Sequence, residues 1–369
     1  MLEHGIIRID NAHIFDGQRF LAKGSLHIQD GKFINSADHA DQIIDARGGF
    51  LIPGLIDTHV HLTDVSQLSD FCKHGQTTVL DMACWPPSKM NSFRNLPRLP
   101  QILSAGIAAT SPGSSHSRMP QWPQDQLLSS ARQADDFVKA RIAEGSDYIK
   151  VVCDDPGPSA DLVRALRDSA RAHGKLAIAH AARLEAFRLA LDCEFDVITH
   201  VPVDAPLTVQ DATTMKEKGI ISTPTLIMER AMAARLGPPP GSEREAGTGS
   251  KMDWEHSRQS ARLLFEAGVP ILASTDANSA PFPLMPRHGS ALHEELEMLH
   301  GIGMTNLELL CSATILPAKH FNLTDRGQIS PGMRADLVLL EKNPLDDIKA
   351  TRTVEKVWCG GELVYQSAD

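Results

Sequence analysis

Aromatic residues are scarce in this sequence: only two of the 369 residues are tyrosine, and aromatic residues together make up 5%. The six cysteines are widely scattered without a CxxC pair, which disfavours a disulfide framework and indicates free buried thiols. No run of lysine and arginine offsets the net charge of -10. The composition therefore argues against nucleic acid or an anionic membrane as a partner.

Long apolar stretches are also missing. No run approaches about 18 apolar residues, the length that reads as a membrane-spanning helix. The opening segment, MLEHGIIRIDNAHIF, has no basic stretch followed by an apolar one, as a secretion signal would have. We therefore expect a cytoplasmic protein that acts on a small-molecule substrate.

Histidine, in contrast, is abundant, with 16 residues, and it is the commonest protein ligand of transition metals. The segment LIDTHVHL at 55–62 places Asp57, His59 and His61 at every second position of an apolar run. Alternate residues of a strand share a face. These side chains are therefore predicted to point to the same side of a buried strand.

Apolar, β-branched runs alternate with helix-period segments from residue 50 onward. The predicted strands are 51–60, 77–82, 106–110, 147–152, 176–180, 196–201, 220–227 and 269–275. Continuously apolar strands separated by amphipathic helices indicate a parallel sheet covered by helices. Eight such units over about 250 residues predict an α/β fold, a (β/α)8 TIM barrel. An open doubly wound sheet is the alternative, but no GxGxxG follows the first strand.

The two ends of the chain do not fit this pattern. They contain short alternating strands separated by DG and GG turns, as in SLHIQDGKFI and VEKVWCGGELVYQ. We predict a small β-sandwich domain formed by both termini, 1–54 and 326–369, with the barrel at 55–325. The stretch GPPPGSEREAGTGS at 237–250 is predicted to be a mobile loop and a candidate lid.

Side chains able to bind a metal stand at the carboxyl ends of five predicted strands. They are His59 and His61 on the first, Lys150 on the fourth, His180 on the fifth, His200 on the sixth and Asp276 on the eighth. Each alone has an ordinary explanation, such as a hydrogen-bonded core histidine or an aspartate that caps a helix. Together, at the end of a barrel where active sites lie, they favour a metal site, because burying so many polar groups without a cation is unfavourable.

The chain resembles the amidohydrolase superfamily over nearly its whole length. PGLIDTHVHL resembles that superfamily's first-strand motif, ASTDA its eighth-strand aspartate motif, and GQISPGMRADLVLLEKNPLDDI its return into the terminal β-domain. EGSDYIKV and AGIAATSPGSSHS resemble the imidazolonepropionase-like and Xaa-Pro dipeptidase-like metal-dependent hydrolases. Homo-oligomers are common in this superfamily, so the resemblance is compatible with a homo-oligomer of this chain. The sequence does not assign the number of subunits.

The resemblance implies a binuclear metal centre and a role for each ligand. Lys150 would react with CO2 to give a carbamate that bridges two divalent ions, for which zinc is favoured over manganese or iron. His59, His61 and Asp276 would hold the inner ion, and His180 and His200 the outer one. A metal-bridging hydroxide would attack an amide-type carbonyl, and Asp276 would act as general base and then general acid. Lys150 and Asp276 are thus the predicted catalytic residues.

Substrate selection is predicted to depend on loops that follow the strands. His116 is the main candidate to orient a substrate carbonyl or carboxylate, with Glu229 and Arg230 as weaker candidates. Related peptidases carry a tyrosine where this chain has Glu229, which puts simple dipeptidase activity in doubt. Trp85 and Trp122 in the mouth loops favour a substrate with an apolar or aromatic part.

Three functions remain open at this point. The first is a hydrolase of carbon–nitrogen bonds, peptide bonds included, that acts on an N-acyl amino acid, a dipeptide or a cyclic amide. The second is an esterase, lactonase or decarboxylase that uses the same metal centre. The third is a catalytically inactive scaffold, which the presence of all six candidate ligands disfavours.

Overall fold

The computed structural model describes residues 5–120, 122–154, 156–236, 252–282 and 284–368. The predicted mobile loop and candidate lid at 237–250 lies outside the described residues. Among the described residues, no helix combines the length and the apolar character needed to cross a membrane.

Short strands and helices follow one another along the described chain. The strands are β1 (Ile7–Ile14), β2 (Gly24–Gln29), β3 (Lys32–Ile34), β4 (Gln42–Asp45), β5 (Phe50–Pro53), β6 (Leu55–Val60), β7 (Gln76–Asp81), β8 (Gln101–Ser104), β9 (Ile149–Val152), β10 (Ala177–His180), β11 (Val197–Thr199), β12 (Ile221–Thr223), β13 (Leu337–Leu340), β14 (Val354–Cys359) and β15 (Glu362–Gln366). The α-helices are α1 (Gln67–Lys73), α2 (Pro87–Ser92), α3 (Ala134–Ala143), α4 (Ala160–Ala172), α5 (Leu184–Asp192), α6 (Val209–Glu217), α7 (Leu226–Leu236), α8 (Trp254–Glu266), α9 (Ser290–His300), α10 (Asn306–Ser312) and α11 (Ile315–His320). Short 3₁₀ turns span His116–Arg118, Gln124–Gln126, Ala131–Gln133 and Ile348–Arg352.

The middle of the chain forms two parallel sheets. One contains β6, β7 and β8, and the other contains β9, β10, β11 and β12. Isolated parallel bridges join Ala109 to Val151, Ser222 to Ile271 and Val60 to Ala277. The predicted α/β class with parallel strands is therefore confirmed, while closure into a (β/α)8 barrel stays a prediction.

These strands are buried on both faces. Every residue of β6 and of β7 is buried, including the polar ones, as expected for a parallel sheet covered by other elements. Helix α4 illustrates the covering layer, because it buries Leu162, Val163 and Leu166 on one side. The Ser159 side chain accepts a hydrogen bond from the Leu162 amide and caps the start of this helix.

Strands from both ends of the chain share one further sheet. Its order is β15-β14-β13-β5-β1-β2-β3, with β4 paired to β1. Ile9, Leu51, Leu337 and Trp358 are buried together in the cluster of apolar side chains that this sheet contributes. The description of this unit as a β-sandwich and the domain boundaries at 54 and 326 stay predictions.

Four strand predictions differ from the structure. The strand predicted at 51–60 is divided at Gly54 into β5, which joins the sheet of the chain ends, and β6, which pairs with β7. The third strand lies at Gln101–Ser104 rather than 106–110, because Gly106 has a φ of 64° and breaks the ladder before Ala109 meets Val151. The seventh ends at Thr223, since Pro224 has no amide hydrogen and α7 follows. The predicted eighth strand at 269–275 has only a bridge at Ile271, as the Ala273 amide donates to the Ser312 carbonyl instead.

Candidate metal centre

His59, His61 and Asp276 form a compact group of metal-ligand types, referred to here as the inner cluster. Nε2 of His59 lies 3.3 Å from Nε2 of His61, and Oδ1 of Asp276 lies 3.5 Å from the first and 3.1 Å from the second. Donor atoms about 2.0–2.2 Å from a zinc ion would be roughly 3.3–3.6 Å apart in tetrahedral geometry. The inner cluster therefore has the spacing of ligands that share one cation.

The backbone brings these three residues together across the chain. His59 and His61 project from one face of the β6 segment, as their alternation predicts. The Asp276 amide donates to the His59 carbonyl at 2.8 Å, and the His61 amide donates to the Ala277 carbonyl at 2.9 Å. Asp276 has a φ of 55°, a left-handed conformation that is costly for an aspartate and is typical of functional sites.

Buried hydrogen bonds orient two of the histidine rings. Nδ1 of His59 lies 2.7 Å from the Thr199 hydroxyl, which leaves Nε2 for the inner cluster. Nδ1 of His200 lies 2.8 Å from the Thr225 hydroxyl and 2.9 Å from Oε1 of Glu229. Nε2 of His200 is buried and has no hydrogen-bond partner among the described residues. Such supporting bonds fix which ring nitrogen faces a metal.

Lys150 is the most unusual polar residue of the site. Its side chain is buried on β9, and Nζ has no hydrogen-bond partner within the described part of the chain. Burial lowers the pKa of Lys150 to about 7, although the charge of Asp276 opposes this effect. With a pKa of about 7, a substantial fraction of this buried amine is uncharged near neutral pH, and the uncharged form is a nucleophile toward CO2.

Three buried histidines of the site are predominantly neutral. Burial holds the pKa values of His59, His180 and His200 well below the ordinary value, and nearby cationic groups lower them further. Burial alone would lower the pKa of His61, but its hydrogen bond to Asp276 raises it above the ordinary value. Neutral imidazole is the form that binds metals, so His59, His180 and His200 fit a cation as they stand, and His61 would release its proton to bind one.

His116, Asp154 and His180 form a second group of metal-ligand types, the outer cluster. Nδ1 of His116 lies 3.0 Å from Oδ2 of Asp154, and Nε2 of His180 lies 3.6 Å from Oδ1 of the same carboxylate. Burial would raise the pKa of Asp154, but hydrogen bonds from His116 and Ser115 hold it well below the ordinary value. Asp154 is therefore an ionised acceptor in this group.

A continuous row of imidazole rings connects the two clusters. Ring centroids are 5.1 Å apart for His59 and His200, 4.4 Å for His200 and His180, and 4.6 Å for His180 and His116. Three of the predicted ligands and the predicted substrate residue His116 thus lie in one site, together with His61 beside His59.

The other predicted substrate residues and the two tryptophans contact protein groups, and their role toward a substrate stays a prediction. Glu229 is buried on α7 behind His200, so its carboxyl supports a ring rather than facing an open space. Arg230 pairs with Glu294 on α9. Trp85 packs against Arg141, with the guanidinium 5.5 Å from its ring centroid. Trp122 is buried edge-on against His116, at 5.5 Å between ring centroids.

Sequence reasoning missed three supporting residues. Asp154 follows β9 directly in KVVCDD, and its position just past a strand end is a signal that could have identified it. Thr199 precedes His200, and no sequence pattern indicated that its hydroxyl contacts His59. Asp57 was visible in the alternation of LIDTHVHL, but its carboxylate accepts hydrogen bonds from the Thr275 hydroxyl and the His59 amide. It therefore fastens β6 to the segment that carries Asp276.

Comparison with known proteins adds three findings. The sequence profile of the amidohydrolase family matches residues 50–364. An imidazolonepropionase of Streptomyces griseus is 24% identical over 383 residues, covering 91% of this chain and 87% of that protein. An uncharacterised protein of Mycobacterium tuberculosis is 28% identical over 301 residues, covering 74% of each.

A solved structure shares the fold at low sequence identity. The crystal structure of a Xaa-Pro dipeptidase with methionine bound in its active site aligns with a TM-score of 0.80 and 20% identity, covering 98% of this chain and 100% of that one. At this identity the likeness concerns the fold alone.

Proposed function

Because the chain belongs to the amidohydrolase family, we propose that it hydrolyses an amide-type C–N bond at a binuclear metal centre. Family membership, which the strand motifs predicted, makes it a metal-dependent hydrolase. The proposed substrate is an N-acyl amino acid, a dipeptide or a cyclic amide. The name of the related imidazolonepropionase supports this substrate class.

One observation carries the proposal. The neutral rings of His59, His180 and His200 meet beside Lys150, whose buried amine has no partner among the described residues. A buried amine without a hydrogen bond is costly, and carboxylation followed by metal binding would satisfy it. In an apolar core, such a group of unpartnered polar side chains would destabilise the fold, whereas two bound cations would satisfy it.

The ligands divide between two positions. His59, His61 and Asp276 would hold the inner cation, His180 and His200 the outer one, and carboxylated Lys150 would contact both. Imidazole and carboxylate donors suit zinc. Bound divalent cations polarise a substrate carbonyl and lower the pKa of water, which makes attack on an amide feasible near neutral pH.

Asp276 is the proposed proton carrier. Its Oδ1 stands 3.1 Å from Nε2 of His61 and 3.5 Å from Nε2 of His59, so its carboxylate faces the reaction site. It would accept a proton from the attacking water and then donate it to the departing amine. His116, held by Asp154 at 3.0 Å, is placed to bind the substrate carbonyl or carboxylate.

We also infer that the two parallel sheets close into a (β/α)8 barrel. Three isolated parallel bridges support closure. The bridge from Ala109 to Val151 connects the segment after β8 to β9, and those from Ser222 to Ile271 and from Val60 to Ala277 connect β12 and β6 through residues 271–277. Closure would set the ends of β6, β9, β10 and β11 around one opening, where active sites of such barrels lie.

The proposal is tested with protein reconstituted with zinc and bicarbonate. N-acyl amino acids, dipeptides and lactams would be screened, each amide beside its matched ester. We expect turnover of at least one amide and two zinc ions per chain by elemental analysis. Turnover of esters or lactones alone would favour the alternative reaction class, and failure to bind any transition metal would identify an inactive scaffold.

A further inference from the structure

We propose that the outer cation has a second, displaced position in this protein, held by His116, Asp154 and His180 instead of by His180 and His200. The inference rests on the proposed binuclear centre and goes beyond it, because neither His116 nor Asp154 belongs to the ligand set proposed above. The position would receive the outer cation before it moves to the deeper one.

The donor spacing of the outer cluster is the first support. Nδ1 of His116 is 3.0 Å from Oδ2 of Asp154, and Nε2 of His180 is 3.6 Å from Oδ1 of the same carboxylate, compared with 3.1–3.5 Å between donors of the inner cluster. Each of the three residues offers one donor atom such that all three lie within 4.8 Å of one another. Two imidazoles and one carboxylate form a ligand set that zinc commonly uses when a fourth position stays open.

A hydrogen-bonded pair alone would not account for this arrangement. The contact between His116 and Asp154 has ordinary hydrogen-bond length, but Nε2 of His180 is 3.6 Å from the other carboxylate oxygen. That separation is too long for a hydrogen bond. It does suit two ligands of one zinc ion, which would be about 3.3–3.6 Å apart.

His180 lies between two alternative sets of partners. Its ring centroid is 4.4 Å from that of His200 on one side and 4.6 Å from that of His116 on the other. One ring nitrogen can bind only one cation at a time. The two positions are therefore alternatives that share His180, and the outer cation would pass between them.

Exposure gives the two positions an order. The side chains of His116, Asp154 and His180 are 19%, 16% and 16% exposed, whereas that of His200 is 2% exposed. A cation arriving from solvent would meet the outer cluster first and could keep water in its open coordination position. Only afterwards would it reach the buried Nε2 of His200.

Local structure holds the displaced position in place. The Cys153 amide donates to the His180 carbonyl at 2.9 Å, which sets Asp154 beside His180. The Ser115 hydroxyl donates to Oδ2 of Asp154. Ser114 accepts hydrogen bonds from the Thr110 hydroxyl and the Ser117 amide, and it thereby fixes the turn that carries His116.

The test counts cations and does not depend on activity. Metal-free protein would be titrated with zinc, and bound zinc per chain would be measured by elemental analysis after equilibration. We expect His200→Asn to bind two zinc ions still, because the displaced position remains, and the double variant His200→Asn with Asp154→Asn to bind one. In the wild-type background, Asp154→Asn should slow uptake of the second zinc ion several-fold.

Asp135→Asn is the matched control. Asp135 lies 3.1 Å from Nε2 of His173 on the protein surface, so it forms the same type of pair outside the site. This variant should bind and take up zinc as the wild type does.

Two results would overturn the inference. One is His200→Asn binding a single zinc ion while the wild type binds two. The other is Asp154→Asn changing neither the count in the His200→Asn background nor the uptake rate, which would leave Asp154 as a residue that only positions His116. If His200→Asn does not fold, as judged by circular dichroism, the wild-type uptake comparison decides. A wild type that binds fewer than two zinc ions would instead contradict the binuclear centre.

Discussion

The inner and outer clusters use the same donors, two imidazoles and a carboxylate, but the chain supports them differently. In the inner cluster, His59 lies on β6 and His61 directly follows it, while Asp276 is tied to this segment by a backbone hydrogen bond to His59. In the outer cluster, His180 ends β10, but His116 stands on a 3₁₀ turn and Asp154 follows the end of β9. A donor that backbone hydrogen bonds tie to a strand is held more rigidly than a donor on a loop. We infer that the inner cluster fixes a cation for catalysis, while the outer cluster can admit and release one.

Replacing Asp276 in the inner cluster should have the largest effect on catalytic activity. Asp276→Asn keeps the shape of the side chain but removes the proton acceptor, so kcat should fall by at least about 10³-fold, within the range attributed to general acid–base catalysis. The melting temperature should stay within a few degrees of the wild type. The measurement is steady-state kinetics on the best amide from the screen, and near-normal kcat would refute the proton-carrier role.

Lys150 is the residue proposed to contact both cations, and its loss should have the second largest effect. Lys150→Ala removes the only proposed ligand that reaches both cations, so activity should nearly disappear and bound zinc should fall. Short carboxylic acids added to this variant should restore part of the activity, because they can occupy the space of the carbamate. Native mass spectrometry of the wild type should detect the added carboxyl group. Full activity of Lys150→Ala without any added acid would exclude a bridging role.

Glu229 supports His200, a proposed ligand of the outer cation alone, so its replacement should have an intermediate effect on metal binding. Loss of a hydrogen bond that orients a metal ligand typically costs 10–100-fold in metal affinity. We expect Glu229→Ala to weaken binding of one zinc ion by about this factor and to leave the other unchanged. Glu229→Gln should restore most of the affinity, since its amide oxygen can still accept from Nδ1 of His200. Equal weakening in both variants would show that the carboxylate charge matters instead.

Glu295 contacts the helix that carries Glu229 rather than a proposed metal ligand, so its replacement should have the smallest effect on the site. Its carboxyl accepts hydrogen bonds from the Leu226 and Ile227 amides at the start of α7, the helix that carries Glu229. Burial raises the pKa of Glu295 to about 8 from an ordinary 4.5, although these two hydrogen bonds oppose the shift.

The folded protein therefore binds more protons than the unfolded chain between these two pH values. The stabilisation that comes with the raised pKa is complete below pH 4.5 and is lost as the pH rises through about 8. The melting temperature of the wild type should fall relative to Glu295→Gln over this interval, by a few degrees. A difference that stays constant from pH 5 to 9 would contradict the raised pKa.

Several features of the site could be predicted from the sequence because they depend on local periodicity. Two histidines at alternate positions of an apolar run must share a face of a strand. Lys150, His180, His200 and Asp276 each stand at or near the end of an apolar segment that leads into a helix. The α/β class followed from the same alternation of segments, although the third and eighth strands were misplaced where Gly106 and the Ala273 hydrogen bond interrupt the ladder.

Only the tertiary structure decided how these residues are supported. Thr199 orients His59 from 140 positions away, and Glu229, predicted as a substrate contact, supports His200 from α7. Asp154 joins His116 across 38 positions and adds a second carboxylate to the site. The periodicity of a strand depends on residues that are neighbours in sequence, whereas these contacts depend on how separate βα units pack against one another. The sequence alone therefore determined which donor types are present and roughly where they stand, and the packing decided which ring nitrogen and which carboxylate face a cation.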